Sequence, residues 1–186
     1  MGLMARLYIA AARDNEPMTV SADVLRTHLD YTAWASRRLV DLAAGLSPEE
    51  LTRDFETADH SIVGTLAHIY AADRIWLARV TQTPSGPFIT DADRDISVLK
   101  KDWPALYDRW RNWAASLSNE AADANVSYKD TKGNPYIQPL WQIILHVVNH
   151  GTHHRGQVSG FLRALGHTPP PLDLSAYHRA QTAARA

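Results

Sequence analysis

The amino-acid sequence of 186 residues contains no cysteine. This absence excludes disulfide bonds, thiolate ligands for a metal ion and a nucleophilic thiol supplied by the protein itself. Any metal site in this chain must therefore use nitrogen and oxygen donors. Nine histidines are available as candidate nitrogen donors.

The sequence also lacks an excess of charge of one sign and a long apolar run. Its 19 Lys and Arg residues are balanced by 20 Asp and Glu residues, so we expect no nucleic-acid partner. No run approaches the roughly 20 apolar residues that cross a bilayer, and we expect no membrane partner. The apolar run at residues 8–12 is short for a signal peptide, whose apolar core has about 7 to 15 residues. We therefore predict a cytoplasmic protein.

The length and composition are typical of one soluble globular domain, with 45% hydrophobic and 21% charged residues. We predict that this domain spans residues 18–179. Residues 1–17 are predicted to form a mobile N-terminal tail, and residues 180–186 are predicted to form a C-terminal tail.

Four long stretches repeat apolar residues at intervals of three and four, which is the pattern of helices that bury one face. A proline near the start and a glycine at the end mark the last of them. We predict these helices from Thr19 or Ser21 to about residue 45, over residues 61–81 and 93–118, and from Pro139 to Gly166.

The third of these helices has the most regular apolar seam, which consists of Leu99, Trp103, Leu106, Trp110, Trp113 and Leu117. Pro104 lies inside this seam and predicts either a kink or a helix start nearby. Residues 126–136 join a β-branched and aromatic run to a glycine turn, which predicts a short hairpin. The predicted fold class is all-α, an up-and-down four-helix bundle with a short hairpin between helices 3 and 4.

Three histidines of the fourth helix, His146, His150 and His154, are spaced four residues apart and lie in one column on its surface. Two imidazoles at this spacing can bind one metal ion, although bundle helices also bury histidines that bond only to carbonyls. A ligand role for His150 and His154 is favoured because His154 lies on the apolar seam and Gly151 leaves room beside it. His68, on the inner half of the second helix, is a candidate third donor.

Other residues near this column carry weaker signals. Gly151 stands where a zincin peptidase has its catalytic glutamate, so peptidase activity is disfavoured. The sequence leaves three roles open for His146: it could line the pocket, contact a metal ligand from outside the coordination sphere, or lie in the core. His153 lies about 100° around the helix from its neighbour and is predicted to face solvent or an interface. For Arg155 and Gln157 the sequence leaves open whether they bind substrate or form a salt bridge or dimer contact.

Several motifs of this chain resemble the DinB (DinB/YfiT-like) family of metal-dependent enzymes. The most specific is NHGTHHRGQ at residues 149–157. It is accompanied by TLAHI at 65–69 with DRIW at 73–76, by YTAW at 31–34 and by GHTP at 166–169. The resemblance covers about residues 18–177.

The resemblance implies a four-helix bundle that binds a divalent metal ion (zinc, nickel, manganese or iron) through His68, His150 and His154. It also implies a homodimer and a small-molecule substrate, because some relatives are transferases or isomerases that use a low-molecular-weight thiol. We therefore expect either a thiol-dependent S-transferase or a metal-assisted hydrolase, with His146 as a candidate proton acceptor. The alternative is a non-catalytic dimeric bundle that binds metal or senses a ligand, and a closed fourth coordination position would favour it.

Overall fold

The computed structural model describes residues 20–184 of the chain, and the predicted N-terminal tail, residues 1–17, lies outside the described residues. The described part contains seven α-helices and one two-stranded sheet. In chain order these are α1 (Ala22–Ala43), α2 (Pro48–Thr52), α3 (Ile62–Val80), α4 (Ile96–Ala115), α5 (Asn119–Asp123), β1 (Asn125–Lys129), β2 (Pro135–Pro139), α6 (Leu140–Ala164) and α7 (Leu174–Ala183).

Serine residues cap the N-termini of several of these helices. The Ser21 hydroxyl accepts a hydrogen bond from the backbone N–H of Val24 and caps α1, as one of the two predicted caps. The Ser61 hydroxyl caps α3 by accepting from the N–H of Gly64. Such caps satisfy N–H groups in the first turn that have no partner inside the helix, and each is worth about 1 kcal/mol.

The four long helices bury their apolar seams against one another. Helix α1 packs on α4 and α6, and α3 packs on the same two helices. The centre of the core contains side chains from all four, including Leu25, Leu66, Leu99 and Ile144, which are fully buried. The fold is therefore mostly helical, as predicted, and its small sheet is the one strand pairing within residues 20–184.

Helix α4 continues through Pro104 without interruption. The predicted alternative of a helix start near this proline is therefore wrong. An interior proline removes one backbone hydrogen bond and costs about 3 kcal/mol. Burial of the neighbouring seam residues Trp103 and Leu106 offsets this cost. The helix begins at Ile96, later than the predicted residue 93, because Asp91–Arg94 form a separate 3-10 turn.

The predicted hairpin is present, with β1 antiparallel to β2 and Tyr128 opposite Tyr136. Helix α7 packs on α1 through Tyr177, whose ring contacts Tyr31 and Trp34. It ends at Ala183, so helical structure extends into the segment that was predicted as a C-terminal tail. Within residues 20–184, no helix combines the length and the apolar character needed to cross a membrane.

Candidate metal centre

The structure brings together the three predicted ligands, His68 on α3 and His150 and His154 on α6. Each offers one ring nitrogen, and these three atoms lie within 4.8 Å of one another. The Nε2 atoms of His68 and His150 are 3.0 Å apart. The ring centroids of the three imidazoles are separated by 4.5 to 5.0 Å. This arrangement places three nitrogen donors around one point between two packed helices.

The environment keeps the two converging histidines of α6, His150 and His154, neutral. Burial, helped by the charges of the neighbouring histidines, lowers the pKa of His150 to about 3. Burial also lowers the pKa of His154, although its hydrogen bond to Gln157 acts in the opposite direction. A neutral imidazole has a free lone pair on one nitrogen, so these side chains can accept a metal ion without first losing a proton.

Gln157 and Asp59 lie beside the Nδ1 edges of the converging imidazole rings. The Nδ1 of His154 donates to the Gln157 side-chain carbonyl at 2.7 Å, which leaves Nε2 of His154 with the lone pair. The Asp59 carboxylate lies 3.4 Å from Nδ1 of His68 and 3.8 Å from Nδ1 of His154. Sequence reasoning left Gln157 open and missed Asp59, which lies in an irregular segment with no spacing that connects it to the histidines.

The segment that carries Asp59 lies tightly against the start of α3. A Cβ atom at position 64 would overlap with the backbone carbonyl oxygen of Asp59, so only glycine fits at Gly64 without movement of the loop. The backbone of Glu56 and His60 has positive φ angles of 57° and 60°. Such angles are uncommon for residues other than glycine. The ring of Phe55 stacks on that of Phe161, with 4.3 Å between ring centroids. This contact anchors the loop to α6, the helix that carries His150 and His154.

The remaining histidines of the motif do not join the converging group. His146 is exposed, and its ring lies 5.8 Å from that of His150 and 5.2 Å from that of Trp76. The ring of His146 is nevertheless partly shielded from solvent, and this partial burial, with a contribution from the charge of Arg79, lowers its pKa. His153 is exposed beside His154, as predicted.

Arg155 is fully buried and has a structural role. Its guanidinium donates to the hydroxyl groups of Thr32 at 2.7 Å, Ser36 at 3.3 Å and Thr152 at 2.9 Å. A Cβ atom on Gly151 would lie 2.7 Å from this guanidinium. The space at Gly151 therefore accommodates Arg155 and not the metal centre, which corrects the interpretation drawn from the sequence.

A buried network of hydrogen bonds extends from Arg155 to Asp73 on α3. Asp73 accepts hydrogen bonds from the Tyr107 hydroxyl at 2.7 Å and from Nε1 of Trp103 at 3.0 Å. The same hydroxyl lies 3.1 Å from Oγ of Ser36, which also contacts Arg155. This polar network links α1, α3, α4 and α6. No spacing in the sequence indicates it.

A cavity of about 620 Å³ lies between the C-terminal half of α3, the loop that follows it and β1, and none of the three converging histidines lines it. Phe88 belongs to its wall, and the Phe88 ring lies edge-on to His68 with 5.7 Å between ring centroids. Arg79 also lines the cavity, with its guanidinium 4.4 Å from the Trp76 ring centroid and 5.3 Å from that of Tyr128. A cavity of this volume is large enough for a small-molecule ligand. Trp34, in contrast, contacts Tyr177 and is not brought to the histidines.

Comparisons with known proteins agree with the resemblance seen in the motifs. The chain is 24% identical over 158 residues to Protein DinB of Bacillus subtilis (strain 168), which covers 80% of this chain and 90% of that protein. The crystal structure of a DinB-like protein from Bacillus cereus ATCC 10987 matches with a TM-score of 0.57 and 18% identity. That match covers 83% of this chain and 99% of the other, and at this identity it establishes similarity of fold alone.

The DinB family itself matches residues 18–185, which include α1 through α7 and all three converging histidines. A match of this extent assigns nearly the whole chain. The chain therefore belongs to the DinB family.

Proposed function

We propose that His68, His150 and His154 bind one divalent metal ion and that the protein is a metal-dependent enzyme. The convergence of three imidazole donors within 4.8 Å carries this proposal. Within residues 20–184 no fourth acidic or histidine side chain joins the group. Three protein ligands with an open fourth position are typical of catalytic sites, whereas structural sites use four.

The donor set fits the proposed ion. Neutral imidazoles suit zinc, nickel and iron, whereas manganese prefers oxygen donors. The lowered pKa values of His150 and His154 keep their lone pairs available. A bound divalent ion would lower the pKa of a water molecule or thiol at the open position and would polarise an electrophile. The protein would supply the orientation of the three imidazoles.

The proposed substrate is a small molecule, used in a thiol-dependent S-transfer or in a hydrolysis. The cavity that Phe88 lines is large enough for a substrate of this size, and the Phe88 ring contacts that of His68. His146 is the proposed proton acceptor, because its lowered pKa keeps it neutral at pH 7 and its ring lies beside that of His150.

We also propose an up-and-down four-helix bundle, which the packing of α1 and α3 on both α4 and α6 supports. A cytoplasmic homodimer without nucleic-acid or membrane partners completes the proposal. Ile137 on β2 exposes 67% of its surface and is a candidate for contact between subunits. The net charge of −1 supports the absence of a nucleic-acid partner.

The metal site is tested with untagged protein and its alanine variants. We expect one equivalent of transition metal in the wild type. His68→Ala, His150→Ala and His154→Ala should each weaken binding by more than about 100-fold, since even outer-shell changes cost 10- to 100-fold. His153→Ala, one position from a ligand, should bind as the wild type does. Elemental analysis and chelator competition measure these outcomes.

Less than about a tenth of an equivalent of metal after reconstitution would contradict the site, because three preorganised neutral imidazoles bind strongly. The enzymatic part is tested separately by adding a simple thiol, 2-mercaptoethanol, to protein loaded with cobalt. A sulfur-to-cobalt charge-transfer band is expected if the fourth position is open. An unchanged spectrum would favour the non-catalytic metal-binding bundle instead.

A further inference from the structure

Among residues 20–184, Asp59 is the one carboxylate that contacts two of the three converging histidines. The geometry points to Asp59 as a positioning residue that orients His68 and His154 from outside the coordination sphere. This inference rests on the proposed metal site and extends it to a residue outside the three-histidine set. The loop before α3 would then be a functional part of the centre.

The inference depends on which ring nitrogen Asp59 approaches. Its two carboxylate oxygens lie 3.4 Å from Nδ1 of His68 and 3.8 Å from Nδ1 of His154. His68 instead directs Nε2 toward His150, at 3.0 Å from the Nε2 atom of that residue. The carboxylate therefore lies behind the rings, on the edge opposite the donor atoms. A fourth ligand would have to lie on the other side.

A carboxylate in this position selects the tautomer of the ligand. When Nδ1 carries the proton and faces the carboxylate, Nε2 carries the lone pair that a metal ion requires. An outer carboxylate of this kind also strengthens the bond between an imidazole ligand and its ion. His154 already has Gln157 as an acceptor at 2.7 Å, so His68 depends on Asp59 more strongly.

The backbone fixes the carboxylate in place. The carbonyl of Asp59 accepts from the N–H of Ser61 at 2.7 Å, and the N–H of Phe55 donates to the carbonyl of His60 at 2.7 Å. Within residues 20–184, the two imidazoles are the polar contacts of this carboxylate. The side chain is 23% exposed, so solvent screens it only in part. No competing ion pair of the described chain uses its charge.

Asp54 provides a matched control in the same loop. Its carboxylate lies 3.2 Å from Nδ1 of His60, which is the same kind of contact with a histidine outside the converging group. Asp54→Asn removes one charge and keeps the oxygen that accepts from the N–H of Glu56. The two variants therefore change net charge equally and differ in whether the partner is a ligand.

The test measures zinc affinity of the wild type, Asp59→Asn, Asp59→Ala and Asp54→Asn by chelator competition. Both Asp59 variants should bind one equivalent, with a dissociation constant raised about 10- to 100-fold, as expected for loss of an outer-shell carboxylate. Asp54→Asn should stay within about two-fold of the wild type. The melting temperature of each metal-free variant is measured to establish that the fold is intact.

Three outcomes would overturn the inference. Wild-type affinity in both Asp59 variants would show that the carboxylate has no role in binding. Loss of an oxygen neighbour in the zinc X-ray absorption spectrum of Asp59→Ala would show that Asp59 is a direct ligand. A wild type that takes up no zinc would overturn the proposed function as well. In the first two cases the metal site itself would stand.

Discussion

At the scale of single residues, the most deeply buried ionisable side chains within residues 20–184 include Asp73 and Arg155, with 2% and 1% of their surfaces exposed. They are joined through the hydroxyls of Ser36 and Tyr107 and not by direct contact. A phenol has one proton, so Tyr107 donates to the carboxylate and accepts from Ser36. Hydrogen bonding of this kind reduces the cost of burying polar groups, which is large when they are unpaired.

Burial raises the pKa of Asp73 from 3.8 to about 6, despite the opposing hydrogen bonds from Tyr107 and Trp103. A raised pKa means that the folded state binds the proton more tightly than the unfolded state does. The resulting stabilisation is fully present below pH 3.8 and is lost as the pH rises through about 6. The shift corresponds to about 3 kcal/mol.

Asp73→Asn should therefore gain stability relative to the wild type as the pH rises from 4 to 8, by up to about 3 kcal/mol, because the amide does not ionise. Urea unfolding at several pH values measures this difference. Asp93→Asn is the control, because a carboxyl group whose pKa lies below 3.8 loses its stabilising effect only at lower pH, so its difference from the wild type should change little between pH 4 and 8. Burial acts to raise the pKa of Asp93, yet hydrogen bonds from Arg74 and Thr90 lower it overall. A pH-independent difference for Asp73→Asn would contradict the prediction.

The site residues that could be predicted from the sequence are those that helical spacing places together or that a family motif marks. His150 and His154 are one helical turn apart, so spacing alone places them on one face. Asp59 and Asp73 could not be predicted, because their contacts depend on how separate elements meet. Gly151 was interpreted wrongly for the same reason, since the group that fills its space comes from the next turn of the helix.

At the scale of elements, two glycines in helices have opposite surroundings. Gly64 in the first turn of α3 faces the backbone of Asp59, where no Cβ atom fits. Gly160 on α6 is exposed and has no neighbouring atom within 4 Å of a Cβ position. The first glycine is required by a close approach of the backbone. The second only weakens its helix.

Gly160→Ala should stabilise the protein by about 0.5 to 1 kcal/mol, because alanine loses less backbone entropy in a helix. Gly64→Ala should destabilise it by about 1 to 3 kcal/mol, since the loop before α3 must move. Chemical denaturation of both variants measures the two effects. The same loop movement should displace Asp59, so metal affinity should fall in Gly64→Ala alone. Equal stability of the two variants would disprove the steric argument.

The boundaries of the elements were predictable where capping residues mark them and less so elsewhere. Ser21, Ser61 and Gly166 lie at or next to the observed ends of α1, α3 and α6. Of the two alternatives that Pro104 left open for α4, the helix start is wrong, because apolar burial on both sides outweighs the cost of an interior proline. Tertiary packing decides such cases, and local sequence does not report it.

At the scale of the whole molecule, the candidate metal centre joins distant parts of the chain. His68 and His150 are separated by 82 positions and belong to helices α3 and α6. An ion bound by both would act as a cross-link between these helices. The mostly helical fold was predictable from periodicity, whereas the contact between these two particular helices was indicated by family resemblance.

Metal should therefore raise the thermal stability of the molecule. At an ion concentration about 100 times the dissociation constant, binding to the folded state alone adds about 2.7 kcal/mol. For a chain of this size that corresponds to an increase of about 5 to 10 °C in Tm. Calorimetry with zinc and with a chelator measures the shift, and His68→Ala should abolish it. A shift that persists in His68→Ala would place the stabilising ion elsewhere.

The separation of the three histidines along the chain also bears on the order of events during folding. His150 and His154 are one turn apart, so an ion can connect them as soon as that turn of α6 forms. Helix nucleation is the unfavourable step in helix formation, and such an ion would favour it. Any ion held by this pair in the unfolded chain reduces the net stabilisation of the native state. The same two residues would thus hasten the formation of α6 and limit how much the metal stabilises the finished fold.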